Sequence, residues 1–164
     1  MVMSILTVIG TVASIIGAWV SVKYASKASD AAKEAKRIKS QLIDQRKVSE
    51  LTKLQVSCKR AQNSMAKYGP ASTQAGLAGN STANDSRDVQ DFILLLKENR
   101  SHFGNKTPNE ADDFCSVLTP LLDSFAQSSA PNDQRDNGKQ IVIHLSSFAA
   151  AIKTRLDSKR EAVY

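Results

Sequence analysis

Apolar and polar positions change rhythm several times along this chain, and each change marks an element. Residues 1–22 are apolar or small throughout, with no charged side chain before Lys23. Residues 26–68 lack Pro, are rich in helix formers and run into Gly69-Pro70, which predicts one long helix or two in series. Ala31, Ala35, Ile38 and Leu42 recur at 4-3-4 spacing, and Leu51, Leu54, Cys58, Ala61, Met65 and Tyr68 at 3-4-3-4-3. Such spacing is the seam of a coiled coil or of a helix packed on a neighbour. The two seams lose phase between Gln45 and Leu51. The first, poor in side-chain volume, reads as a stalk, and the second as a better-packed helix.

"GPASTQAGLAGNSTANDS" (69–86) reads as a loop, being small, polar and Gly-rich. "SRDVQDFILLLKENR" follows as a helix with Ser86 as N-cap and Val89, Phe92, Ile93 and Leu96 on one face. "SHFGNKTP" is a second loop. "NEADDFCSVLTPLLDSFAQ" opens with Asn109 as a cap and acids in the first turn, which suit the helix dipole. Pro120 is expected to kink or restart this helix. After the predicted loop "SSAPNDQRDNG", "KQIVIHLSSFAAAIKTRLDSKR" sets Ile141, Leu145, Phe148, Ile152 and Leu156 at helical spacing. "IVIHL" alone could be a strand, but the chain offers it no partner. The fold class is therefore all-α: an N-terminal transmembrane helix (1–22), a basic stalk helix (23–45), and a helical bundle of four or five helices (46–164).

The membrane reading follows from length. At 1.5 Å per residue, 22 residues span about 33 Å, enough for a hydrocarbon core of about 30 Å. A signal peptide would need a basic start and a shorter apolar run. Here no Lys or Arg precedes the run, and the small-residue site Ala25-Ser26 lies beyond Lys23. An uncleaved anchor is expected. Lys23, Lys27, Lys33, Lys36, Arg37 and Lys39 crowd its C-terminal flank, which places the N-terminus outside and the bundle in the cytoplasm. Trp19 and Tyr24 suit the interfacial aromatic belt. Gly10/Ser14, Ala13/Gly17 and Ser14/Ala18 are small-x-x-x-small pairs of the kind that let membrane helices associate.

Charge sharpens this picture. The chain carries a net +6, but residues 23–60 hold 11 Lys/Arg against 4 Asp/Glu, and residues 61–164 hold 11 against 12. The basicity belongs to the stalk, where anionic head groups attract each Lys or Arg by about 1 kcal/mol. Duplex nucleic acid is not a partner this distribution requires. Cys58 and Cys115 lie on helix faces without CxxC or Cys/His spacing, so reduced core thiols are expected, with no metal or cofactor.

No GxSxG, HExxH, Walker loop or paired-carboxylate motif occurs, and no enzyme is expected. His144 lies in an apolar helix and reads as a core or boundary histidine. Asp112 and Asp113 read as acids of a helix N-terminus. Cations near loops are the remaining candidates. Arg60, Lys67 and Tyr68 lead into the first loop, Arg87 follows it, and Arg100, His102, Phe103 and Lys106 bracket the second. Phosphates need such donors, and bases need apolar slots beside them. The cations and His102 are candidate phosphate contacts; Tyr68 and Phe103 are candidate base contacts.

A membrane helix running through "KYASKASDAAKEAKRIKSQ" into a small helical domain resembles the membrane-anchored accessory effectors of type III CRISPR defence that bind cyclic tetra-adenylate. "KRAQNSMAKYGP" and "DVQDFILLLKENRSHFG" are similar in texture to that kind of domain. The resemblance spans the whole chain without a diagnostic motif. It implies a homotetramer, a cyclic oligoadenylate ligand, a bacterial inner-membrane location and membrane disruption as output. The alternative is a membrane-tethered coiled-coil adaptor that binds a protein partner and no nucleotide. A tethered nucleic-acid binder is weaker still, because aromatics for stacking are sparse.

Overall fold

A computed structural model describes residues 2–69, 82–104 and 109–161; within these, the side chains of residues 2–18, 20 and 22 are not described. Four α-helices occur among the described residues: α1 (Val2–Met65), α2 (Thr82–Glu98), α3 (Glu110–Gln127) and α4 (Pro131–Glu161). No strand occurs among them, so the all-α expectation holds. The chain divides into two compact units, Met1–Ile43 and Asp44–Tyr164.

The first unit is helix alone. Its described side chains face solvent, and local contacts join several of them: Arg37 on Glu34 at 2.6 Å, Lys33 on Asp30 at 3.7 Å and Lys23 over the Trp19 ring at 5.2 Å. The expected anchor, residues 1–22, falls almost wholly on side chains outside those described. Among the described residues no helix is long and apolar enough to cross a membrane.

The second unit is a four-helix bundle whose core comes from the seams read above. Leu51, Leu54, Cys58, Ala61, Met65 and Tyr68 are all buried, as are Val89, Phe92, Ile93 and Leu96, and the five apolar positions of α4. Contacts along the chain run in opposite senses between successive helices: Glu50 meets His102, whereas Arg60 meets Asp88. Likewise Cys58 meets Leu145, and Tyr68 meets Gly138. Helix α1 therefore runs antiparallel to both α2 and α4, as neighbours in an up-and-down bundle do.

Two helix starts differ from the sequence reading, and Pro120 does not restart its helix. Helix α2 starts at Thr82, so Ser86 is no cap; its hydroxyl donates to the Thr82 carbonyl at 2.7 Å. Polar "TANDS" reads as loop, but Asp85 is tied down by Lys67 and Tyr68, and this holds the first turn. Helix α4 starts at Pro131, which suits a first helical position because its missing N–H has no intrahelical acceptor there. "PNDQRDNG" is thus helix, anchored by Gln134 Nε2 donating to the Ser128 carbonyl at 2.6 Å. Helix α3 runs on through Pro120. Pro120 and Ser116 are both exposed, so the carbonyl that Pro120 cannot serve faces water. Asn109 does cap α3, accepting from the Ala111 and Asp112 amides at 3.0 Å in a capping box with Asp112.

Aromatic rings fill the two ends of the core. Phe114 stacks on Phe148 at 4.2 Å, with Phe103 and Phe92 against Phe148 at 5.1 and 6.4 Å. At the other end Tyr68 meets Phe125 edge-on at 4.9 Å, a favoured geometry. Gly138 in α4 makes room for it: a Cβ there would lie 2.6 Å from Tyr68 Cβ and 2.7 Å from its Cγ.

Two outcomes follow from this packing. Gly138→Ala should destabilise the bundle by about 1–2 kcal/mol in urea unfolding, because overpacking outweighs the helix propensity Ala gains. Burial pushes the Cys58 thiol up to about 12 and raises Cys115 as well. Both should resist a thiol-specific disulfide reagent at pH 8 and react at least a hundredfold faster once urea unfolds the chain, since only the thiolate attacks.

Candidate functional site

The sequence-predicted residues divide between the two ends of the bundle. Arg60, Lys67, Tyr68 and Arg87 belong to the end where α1 finishes and α2 begins. Arg60 Nε lies 2.9 Å from Asp88 Oδ1, and the Ser64 hydroxyl donates to the other Asp88 oxygen. Lys67 Nζ lies 2.8 Å from Asp85 Oδ2, to which the Tyr68 hydroxyl also donates at 2.9 Å. Tyr68 is 1 % exposed and Asp85 6 %. Burial, and then the bond to Asp85, pushes the Tyr68 phenol above its ordinary value. These groups form a closed structural lock, and the Tyr68 ring is not presented to a base. Arg87, one turn into α2, is exposed.

Arg100, His102 and Phe103 sit at the opposite end, about 15–25 Å away along α1 at its rise per residue. Phe103 is 3 % exposed and belongs to the aromatic core. Lys106 lies outside the described residues. Arg100 stands 3.8 Å from Asp112. The seven described candidates therefore lie at two separate ends of the bundle.

The second end is open. A cleft of about 750 Å³ lies between the start of the α1 stretch in this unit, the 100–104 turn, the α3 N-terminus and the last turns of α4. Lys47, Ser101, His102, Glu110, Arg155 and Lys159 line it. The turn is held by Asn109, whose amide donates to the carbonyls of Arg100 and Gly104 at 3.1 and 3.3 Å. Gly104 at φ +125° permits the bend.

His102 and Arg155 organise this cleft. His102 Nε2 lies 2.9 Å from Glu50 Oε2, and its backbone carbonyl accepts from Arg155 Nη1 at 3.3 Å. Arg155 also bonds Glu110 through Nη2 and lies over the Phe103 ring at 5.2 Å. Glu50 accepts from Arg46 Nε at 2.7 Å. The Arg46 bond, with a smaller contribution from His102, holds the Glu50 carboxyl below its ordinary range. The lining carries Lys47, Arg155 and Lys159 against Glu110, an excess of cations, with the hydroxyls of Ser101, Thr154 and Ser158 beside them.

This arrangement can bind an anion. Lys47, Glu50, Arg155 and Lys159 were not among the sequence candidates. Arg155 and Lys159 stand one helical turn apart, a signal the sequence carries. Their meeting with Lys47 is tertiary and leaves no local trace.

Against protein-family models, curated proteins and solved structures, the chain matches none. What defines the second unit is its own geometry: four packed helices with a cationic cleft at one end.

Glu50 gives a signed pH test. Its lowered carboxyl stabilises the fold above the ordinary value of 4.5 and ceases to do so as pH falls through the lower folded value. Urea midpoints should therefore drop between about pH 5 and 3, and Glu50→Gln should make that drop shallower.

Proposed function

We propose that this chain is a membrane-anchored, non-enzymatic sensor. Residues 1–22 cross the inner membrane, the basic stalk lies against anionic lipid on the cytoplasmic side, and the cleft binds a phosphate-bearing ligand. A cyclic oligoadenylate, cyclic tetra-adenylate first, is the ligand the family resemblance supplies. Membrane disruption is the output it implies.

The observation that supports this reading is the convergence of Lys47, Arg155 and Lys159 on one cleft. Energetics favour this end over the other. Diverting Arg155 from Glu110 breaks a pair whose side chains are 36 % and 45 % exposed, a loss of about 0–1 kcal/mol. Diverting Lys67 would strip a buried carboxylate of its cation, costing about 3–5 kcal/mol. A ligand can recruit the cleft cations cheaply and the lock cations only at a loss.

A ligand that turns a switch from 1:99 to 99:1 must favour the active state by about 5.5 kcal/mol. Charge-assisted contacts yield about 1.5–3 kcal/mol each, so about two to four contacts made only in the active state suffice. Lys47 and Leu51 lie on α1, the helix that also carries the stalk. The cleft thus draws on the element best placed to report occupancy.

Calorimetric titration of the full chain in lipid nanodiscs tests this, with cyclic tetra-adenylate against cyclic tri- and hexa-adenylate and a linear tetramer. Lys47→Ala, Arg155→Ala and Lys159→Ala should each weaken binding at least tenfold, with Arg60→Ala unchanged. Absence of binding to every one of these compounds by the folded chain would remove the cyclic oligoadenylate reading.

A further inference from the structure

Helix α1 carries an apolar seam twice. In the second unit the seam is filled by the chain's own bundle, with Leu51, Leu54 and Cys58 at 0–1 % exposure. In the first unit a seam of the same kind is bare. Tyr24, Ala28, Ala31, Ala35, Ile38 and Leu42 alternate at spacings of 4 and 3, and all are exposed, Ile38 at 45 % and Leu42 at 60 %.

We propose that this seam pairs, parallel and in register, with the same seam of a second copy of the chain. Charge placement selects that occupant. The stretch is strongly basic, yet no seam position is charged. Written as a heptad with Ala28, Ala35 and Leu42 at a and Tyr24, Ala31 and Ile38 at d, the charges Lys23, Asp30, Lys33, Lys36 and Arg37 fall on the outer positions b, c and f. Only Lys27, Glu34 and Lys39 flank the seam. In a parallel pair a g residue faces the e residue of the next heptad on the partner, which sets Glu34 of each copy against Lys39 of the other. By two-fold symmetry this forms two attractive contacts, and no flanking position sets like charges together.

Glu34 is exposed and bonded only to Arg37 one turn on, so it is accessible to Lys39 of a second copy. The parallel register also sets Ile38 on Ile38 and Leu42 on Leu42, the largest aliphatic side chains of the seam. An antiparallel pair would match Ile38 with Ala28 and Leu42 with Tyr24, so that neither meets an aliphatic partner of its own size. The parallel sense rests on the anchor reading, since two chains inserted in one membrane enter their stalks in the same direction. Insertion also raises the local concentration of one stalk around another, which a short Ala-rich seam needs.

Disulfide scanning of the full chain in lipid vesicles, without nucleotide, tests the pairing. Single cysteines replace the seam residues (Ala35→Cys, Ile38→Cys, Leu42→Cys) or outer residues (Lys33→Cys, Arg37→Cys, Ser40→Cys), and copper-phenanthroline drives oxidation. The parent chain, whose Cys58 and Cys115 are buried, reports the background. Seam positions should give at least tenfold more covalent dimer than outer positions, each joined to its own counterpart. Equal yields on both faces, or no dimer above background, would overturn the pairing, as would self-linking confined to Ala35 with none at Ile38 and Leu42. Carbonate extraction of the same vesicles reads insertion separately. Seam-selective cross-links in an extractable chain would uphold the pairing while the anchor fails, and an inserted chain without them would do the reverse.

Discussion

All four helices of the bundle meet at one phenol. Tyr68, in the short turn that follows α1, sets its ring edge against Phe125 of α3, lies in the gap that Gly138 leaves in α4, and donates its hydroxyl to Asp85 of α2. A buried carboxylate is tolerated only when its charge is met and its oxygens are bonded. Asp85 satisfies this condition through Lys67 and Tyr68 together. Moving α1 along its axis by one residue would break the ion pair, the hydrogen bond and the fit to Gly138 at once. That one contact set therefore fixes the register in which α1 presents Lys47 and Glu50 to the other end.

The two ends differ in how their charges are kept. At the Tyr68 end, carboxylates are buried or half-buried and each faces a cation with a hydroxyl beside it. At the cleft, Arg155 shares itself among a carbonyl, an exposed carboxylate and a ring face, none of which holds it tightly. Solvent screening makes such contacts weak and exchangeable. One small bundle thus carries shielded ion pairs at one end and solvent-exposed ones at the other.

Much of the fold was legible because apolar period is a local property. The 51–68 seam, the face of α2 and the five positions of α4 are visible as spacing, and each is buried where the spacing places it. The helix starts at Thr82 and Pro131 were misread because Asn, Asp, Ser and Gly are loop formers unless something distant uses them. Asp85 is used by Lys67, and Gly138 by Tyr68, across segments the sequence cannot join. The site was legible only as a supply of cations. Arg60 and Lys67 look like phosphate donors until Asp88 and Asp85 are seen to occupy them. The missed Lys47 and Arg155 lie near opposite ends of the bundle sequence and meet only through antiparallel packing.

Under the proposed sensor reading, the same contrast favours the cleft over the lock. A switch must start near balance, so the contacts that change state have to be individually small. Exposed pairs of about 0–1 kcal/mol meet this requirement, whereas a buried pair costing several kcal/mol to break would hold one state whatever the ligand. Beside the core ring of Phe103, the 100–104 turn is held by polar contacts: the Asn109 amide, the Arg155 guanidinium and the pair of His102 with Glu50. A ligand competing for Arg155 would loosen that turn and leave the Tyr68 lock intact. The bundle could then answer at one end without unfolding at the other.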